Sequence, residues 1–142
     1  MMTYKFYDTC SLLLKGEHLF DIPDEKVVIS SISLQELEEI KSFSRKDTET
    51  KVAARALLRF LDKNVGKYEV HIYRESMINK LLEKCDLPIS NDIKILATAF
   101  DYDYFVHPDE TIFVTNDLAL KTIANLFFGE DSIESVDEDL VD

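Results

Sequence analysis

A chain of 142 residues with 46% hydrophobic and 11% aromatic side chains is long enough for one domain with a real core and too apolar for a disordered one. Its formal charge of −12 opposes a general electrostatic grip on nucleic acid, whose phosphates attract Lys and Arg. No apolar stretch approaches the ~20 residues of a membrane span, and Lys5 and Asp8 interrupt any signal-peptide core, so a cytoplasmic protein without membrane contact is expected.

The first element lies in "YKFYDTCSLL" (4–13). Tyr4, Phe6 and Tyr7 suit a buried strand, and Asp8 stands at its mouth, followed by Thr9, Cys10, Ser11 and three leucines. "KVVIS" (26–30) predicts a short β-branched strand. "SLQELEEIKSF" (33–43) places Leu34, Leu37, Ile40 and Phe43 on one helical face. "TETKVAARALLRFLDKN" (48–64) repeats the pattern with Val52, Ala53, Ala56, Leu57, Phe60 and Leu61. "YEVHIYR" (68–74) alternates as a strand does. "ESMINKLLEKC" (75–85) predicts a helix closed off by Pro88, and "SNDIKILATAF" (90–100) predicts another. "ETIFVTN" (110–116) reads as a strand feeding the helix "DLALKTIANLFF" (117–128), and "SIESV" (132–136) as a final strand.

Strands alternating with helices imply an α/β fold around a central, mostly parallel sheet of four or five strands. No repeat or linker divides the chain, so residues 1–136 are expected to form one domain. The terminal "EDSIESVDEDLVD" carries seven acids and no base, reads as largely solvated, and leaves 137–142 as an acidic tail. Gly66-Lys67 lacks the upstream glycine of a phosphate loop, which argues against an NTPase. Cys10 and Cys85 form no CxxC pair and read as free thiols, with a single bridge as the alternative. His18, His71 and His107 form no metal-spaced pair and are expected in structural or surface roles.

In such folds ligands bind beyond the carboxyl ends of the strands. Asp8 and Asp117 follow strands there. Glu36 and Asp92 are expected in the first turns of the helices after "VVIS" and at "NDIKILATAF". Each has a plain structural explanation. Ser33 and Glu36 spell a capping box; Asp92 complements a helix dipole after a cap at Ser90 or Asn91; Asp8 and Asp117 cap their own helices. Capping does not explain why four acids fall at successive crossovers of one sheet edge. Two carboxylates 4 Å apart near a protein surface repel by ~4 kcal/mol, which a divalent cation with oxygen preference, Mg²⁺ or Mn²⁺, would relieve.

In these stretches the chain resembles the PIN domain, and most closely the PIN module at the N-terminus of PhoH-like proteins, over roughly residues 4 to 136. "FYDTCSLL" resembles the family's opening strand and Asp-Thr pair. "VVISSISLQELEEIK" resembles the second strand and the helix with its Glu-Leu pair. "SNDIKILATAF" resembles the Asn-Asp segment, "TIFVTNDLALKTIA" the Val-Thr-x-Asp segment, and "KVAARALLRFLD", with Arg55, the PhoH-type middle. Many relatives have Asn at the position of Cys10, and the PhoH-like ATPase domain is lacking, so a stand-alone module is expected. The resemblance implies a three-layer α/β/α sandwich and a ribonuclease. Asp8, Glu36, Asp92 and Asp117 would be catalytic and would hold one or two Mg²⁺ or Mn²⁺ ions, with Thr9, Asn91 and Thr115 in support. Cleavage would leave a 5′-phosphate and a 3′-hydroxyl.

Lys51, Arg55, Arg59 and Lys63 recur every four residues along one helix, with Lys41, Arg45 and Lys46 just before it. They read either as a solvated face or as a track for the RNA backbone. Tyr102 and Tyr104 could stack on bases, with packing in the core or at its rim as the plainer reading. The expected activity is endonucleolytic cleavage of single-stranded RNA. A non-catalytic interaction module and a toxin held by an antitoxin are the alternatives. Structure-specific DNA cleavage is disfavoured for want of DNA-clamping elements. A homodimer and a protein regulator stay open as partners.

Overall fold

The computed structural model describes residues 2–42, 48–83, 86–106 and 110–136. Five strands, β1 (Thr3–Tyr7), β2 (Glu25–Ser30), β3 (Tyr68–His71), β4 (Glu110–Val114) and β5 (Ile133–Glu134), form one sheet in the order β3-β2-β1-β4-β5. Every pairing is parallel, with Phe6 of β1 level with Val28 on one side and Phe113 on the other.

Side-chain alternation along these strands fixes the layers. Phe6, Val28 and Phe113 enter one core, with α4 (Glu75–Leu82), α5 (Asn91–Phe105) and α6 (Leu118–Ala124) over it. Tyr7, Val27, Ile29 and Val114 enter the other, beneath α1 (Thr9–Lys15), α2 (Ser31–Ser42) and α3 (Thr48–Lys63). The central strands are buried on both faces, and the expected three-layer α/β/α sandwich is what forms. Among the described residues no helix is long and apolar enough to cross a membrane.

Four predicted elements end elsewhere for visible reasons. The strand expected over 68–74 stops at His71, because His71 pairs with Ser30, the last residue of β2. The helix expected over 90–100 runs on to Phe105, carrying Tyr102 beneath the sheet against Tyr4 and Phe6. The helix expected over 117–128 closes at Ala124, whose carbonyl accepts from both Phe127 N and Phe128 N. That turn lays Phe128 on Phe113, ring centroids 6.0 Å apart. The expected final strand over 132–136 is shorter, Ile133–Glu134. It is fastened by Lys5, whose buried ammonium reaches Glu134 at 2.5 Å and Glu25 at 2.7 Å. Burial alone would push that ammonium's pKa down; its two carboxylate partners more than offset this and hold it raised. Arg45, Lys46, Cys85, His107 and the 137–142 tail lie outside the described residues.

The chain steps from β1 outward to β2 and β3, then returns to place β4 on the other side of β1. The winding therefore reverses between β1 and β4, and their carboxyl ends open a crevice there.

Candidate active site

The first residue beyond β1 is Asp8, and Thr115 to Asp117 follow β4, so both walls of the crevice begin with an acid-bearing turn. Asp8 is only 4% exposed. Its Oδ1 accepts from Ser11 N at 2.8 Å, which makes it the N-cap of α1. Its Oδ2 accepts from Thr115 Oγ1 at 2.6 Å. Thr115 is fully buried, and its hydroxyl oxygen also accepts from Asp117 N at 3.1 Å. Asp117 caps α6, accepting from Leu120 N at 3.1 Å. One threonine hydroxyl thus ties together the acids of β1 and β4, 107 residues apart in the case of its bond to Asp8.

Glu36 corrects the sequence expectation. Helix α2 begins at Ser31, two residues before the expected start, because Ser30 Oγ accepts from Ile32 N at 3.1 Å. Glu36 therefore sits in the second turn, and Ser33 and Glu36 form no capping box. Ser33 is fully buried, its Oγ 3.0 Å from Thr9 Oγ1, while Thr9 Oγ1 donates to Glu36 Oε1 at 2.6 Å. A threonine hydroxyl has one proton. With that proton on Glu36, the proton between Thr9 and Ser33 is the serine's.

Asp92 occupies the first turn of α5, as expected, and Ser90 supplies the cap there, accepting from Ile93 N at 3.3 Å. Asn91 begins the helix and is exposed, with no side-chain hydrogen bond among the described residues. A buried hydroxyl pair holds α5 against the start of α2: Ser30 Oγ donates to Thr98 Oγ1 at 3.1 Å, and Thr98 Oγ1 donates to Lys94 O at 2.6 Å. Burial, followed by the negative charges of Glu36, Asp8 and Asp117, raises the Asp92 carboxyl above its usual pKa. All four predicted acids therefore share one electrostatic neighbourhood. A groove of about 250 Å³ opens beside Asp92 and Asp117, lined mainly by apolar side chains including Leu87, Ile93 and Leu120.

The donor set suits a hard cation, because every candidate ligand is a carboxylate oxygen. Among the described residues no three His, Cys, Asp or Glu side chains close around a common point as a ready cage.

The predicted basic residues divide. Lys41, Arg55 and Arg59 line one groove of about 600 Å³ with Ser42, Leu58 and Asp62. Arg59 and Lys63 line a neighbouring groove of about 450 Å³. Lys51 is half-buried and lines neither. Lys41 lies five residues beyond Glu36, ~7.5 Å along the helix axis, so one wall of the basic groove continues the helix that carries an acid. Tyr102 is buried and donates to Glu69 Oε2 at 2.5 Å, which removes it from any base-stacking role. Tyr104 is 68% exposed, but it lies twelve residues along α5 from Asp92, ~18 Å away. His18 pairs with Asp21 and His71 with Asp101, each at 2.8 Å, away from the acids in sequence and in contact. Ser30, Ser33, Thr98 and Asn116 support the site without having been expected; single hydroxyls and amides carry no periodic signal.

The PIN domain family model matches residues 6–127, and the chain belongs to that family. No curated protein sequence matches it. Among solved structures, a chain of VapBC2 from Rickettsia felis, bound to a DNA fragment from their promoter, shares the fold with a TM-score of 0.60. The match covers 96% of this chain and 100% of that one at 23% identity.

Proposed function

We propose that this protein is an Mg²⁺- or Mn²⁺-dependent endoribonuclease acting on single-stranded RNA, in keeping with the nuclease activity general to PIN domains. The observation that carries the proposal is the placement of Asp8 and Asp117 at the carboxyl ends of β1 and β4, tied by the Thr115 hydroxyl, in one electrostatic neighbourhood with Glu36 and Asp92, whose carboxyl is raised by burial and then by the other three charges. Asp8, Glu36, Asp92 and Asp117 would hold the ion. When bound, such an ion neutralises phosphate charge and makes water more acidic for in-line attack. Thr115 holds Asp8 and the Asp117 turn, and Thr9 turns Glu36 toward the same crevice. Each of these carboxylates keeps lone pairs beyond the bonds that orient it. Arg55, Arg59 and Lys41 offer the RNA backbone a basic groove on an otherwise acidic protein. Kinship with the PIN module of PhoH-like proteins rests on "KVAARALLRFLD" and is part of this proposal.

Asp92→Asn is the cleanest test, because Asp92 makes no capping bond of its own. The folded variant should lose Mn²⁺-dependent cleavage of mixed single-stranded RNA by at least ~100-fold, the scale of losing one group that stabilises transition-state charge. Full activity in that variant refutes the catalytic role of Asp92, and wild-type protein that cleaves no RNA with Mn²⁺ leaves a non-catalytic interaction module. The fold shared with a VapBC2 chain from a promoter-bound complex supports a second reading, a ribonuclease toxin held by a protein antitoxin. Induced expression should then arrest growth, and Asp92→Asn should relieve the arrest; unchanged growth on expression of the wild type removes the toxin reading.

A further inference from the structure

The turn that carries Thr115 and Asp117 is bonded on its outer side by the last described residues of the chain. Thr115 N donates to Glu134 O at 2.9 Å, and Ser135 Oγ donates to Thr115 O at 3.1 Å. Lys121 Nζ of α6 donates to the same Ser135 Oγ at 3.1 Å. Between these bonds the Asn116 side chain meets one backbone unit at two points. Its Oδ1 accepts from Val136 N at 2.7 Å, and its Nδ2 reaches Val136 O at 3.4 Å. Val136 is anchored in turn, 8% exposed and packed into the core with Tyr7 and Leu12.

We propose that Asn116 is a positioning residue that, by pairing with the Val136 backbone, fixes the Thr115–Asp117 turn and through it the Asp8 and Asp117 carboxylates. The path is short and each link is a hydrogen bond. Asn116 separates Thr115, which donates to Asp8, from Asp117, whose N–H that same threonine accepts. Few rotations are left to a turn held at the Thr115 N–H, the Thr115 carbonyl and the Asn116 amide. The Thr115 hydroxyl can then satisfy its carboxylate and its N–H at once. Residues 134–136 are on this account part of the site's frame. The functional consequence rests on the carboxylate site proposed above; the positioning itself does not.

The test uses the full chain and two independent readouts. In metal-free protein, amide hydrogen exchange at Ser11, Asp117 and Leu120 reports the bonds to Asp8 Oδ1, Thr115 Oγ1 and Asp117 Oδ1. Asn116→Ala should speed exchange at these three amides by about tenfold while the β1 and β2 amides keep their protection. Asn116→Asp keeps an acceptor for the Val136 N–H and should restore most of the protection, which separates positioning from a general loss of folding. Calorimetric titration with Mn²⁺ alone should show about tenfold weaker binding in Asn116→Ala. Unchanged exchange at the three amides in Asn116→Ala, or uniform acceleration across the sheet that Asn116→Asp fails to restore, overturns the proposal. Wild-type protein that binds no Mn²⁺ would overturn the metal site instead, and the exchange measurement would still decide the role of Asn116.

Discussion

Thr115→Val removes one oxygen and almost no volume, so its cost isolates the hydroxyl. Thr115 is fully buried, and valine preserves the branched shape that fits the strand end. Two bonds disappear. Asp8 Oδ2 loses its 2.6 Å donor, and a hydrogen bond to a charged group contributes ~1.5–3 kcal/mol. Asp117 N loses its acceptor at an exposed residue that water can reach, which costs ~0.5–1 kcal/mol. The sum is ~2–4 kcal/mol. For a chain of 142 residues, one kcal/mol moves the melting temperature by ~3 °C, so the expected drop is ~6–12 °C. Thr115→Ser restores the hydroxyl and should recover most of the loss, which separates the bond from methyl packing. Thermal melts followed by circular dichroism, with chelator present, measure both variants. A drop of less than ~2 °C in Thr115→Val would show that the buried Asp8 carboxylate does not depend on this donor, and the frame built on Thr115 would fall with it.

The Asp92 carboxyl is raised by burial and by the charges of Glu36, Asp8 and Asp117. Between its ordinary value of 3.8 and the raised value the folded state binds the extra proton, so stability falls as pH rises through that window and stays lowered above it. Asp92→Asn should therefore show a flatter profile there and a higher urea midpoint at neutral pH without metal; superimposable profiles would contradict the shared neighbourhood. Mn²⁺ at 100 times its dissociation constant should stabilise the wild type by ~2.7 kcal/mol, ~8 °C, and Asp92→Asn should gain clearly less. Equal increments in melts of the two proteins would remove Asp92 from the ligand set. Reversing Arg55 and Arg59 to Glu should weaken binding of a single-stranded RNA and lower the salt slope by ~0.7 per lost phosphate contact, with Mn²⁺ affinity unchanged. An unaltered slope in fluorescence-anisotropy titrations would mark the groove as ordinary solvated surface.

Asp8, Asp92 and Asp117 are legible in the sequence because each follows a visible change of period: an apolar strand ends or a helical pattern starts, and a carboxylate stands at the junction. Glu36 is legible as a residue, but its place in the helix is not. "SLQE" spells a capping box, and only the Ser30 hydroxyl, which begins α2 at Ser31, moves Glu36 into the second turn. The bonds that turn the acids toward one another are illegible, since they join Thr9 to Glu36 across 27 residues and Thr115 to Asp8 across 107. Charge misleads at the end of the chain. "EDSIESVDEDLVD" reads as solvated by composition, although Val136 is buried in the core and Glu134 is fastened by Lys5. Tyr102 follows the plainer reading, packing in the core: its ring meets Tyr4 and Phe6, and one long-range bond to Glu69 satisfies its hydroxyl.

Capping and catalysis are not competing explanations of these acids. A helix N-terminus presents roughly half a positive charge and unpaired N–H groups. Asp8 and Asp117 use both, on α1 and α6, which lie on opposite faces of the sheet and start from the same reversal of winding. The fold can therefore hold two carboxylates at one crevice with their repulsion partly offset. Capping accounts for these two acids and stops there. Ser90 already caps α5, so Asp92 adds negative charge that its helix does not need. Glu36 stands past the first turn of α2, beyond the reach of the dipole's strongest effect, and takes its proton donor from a different helix through Thr9. A structure selected only for stability gains nothing from placing Glu36 where its charge adds to the cost of ionising Asp92. The cost is recovered if a cation is bound there, and the acids without a capping role are the ones whose replacement tells the two accounts apart.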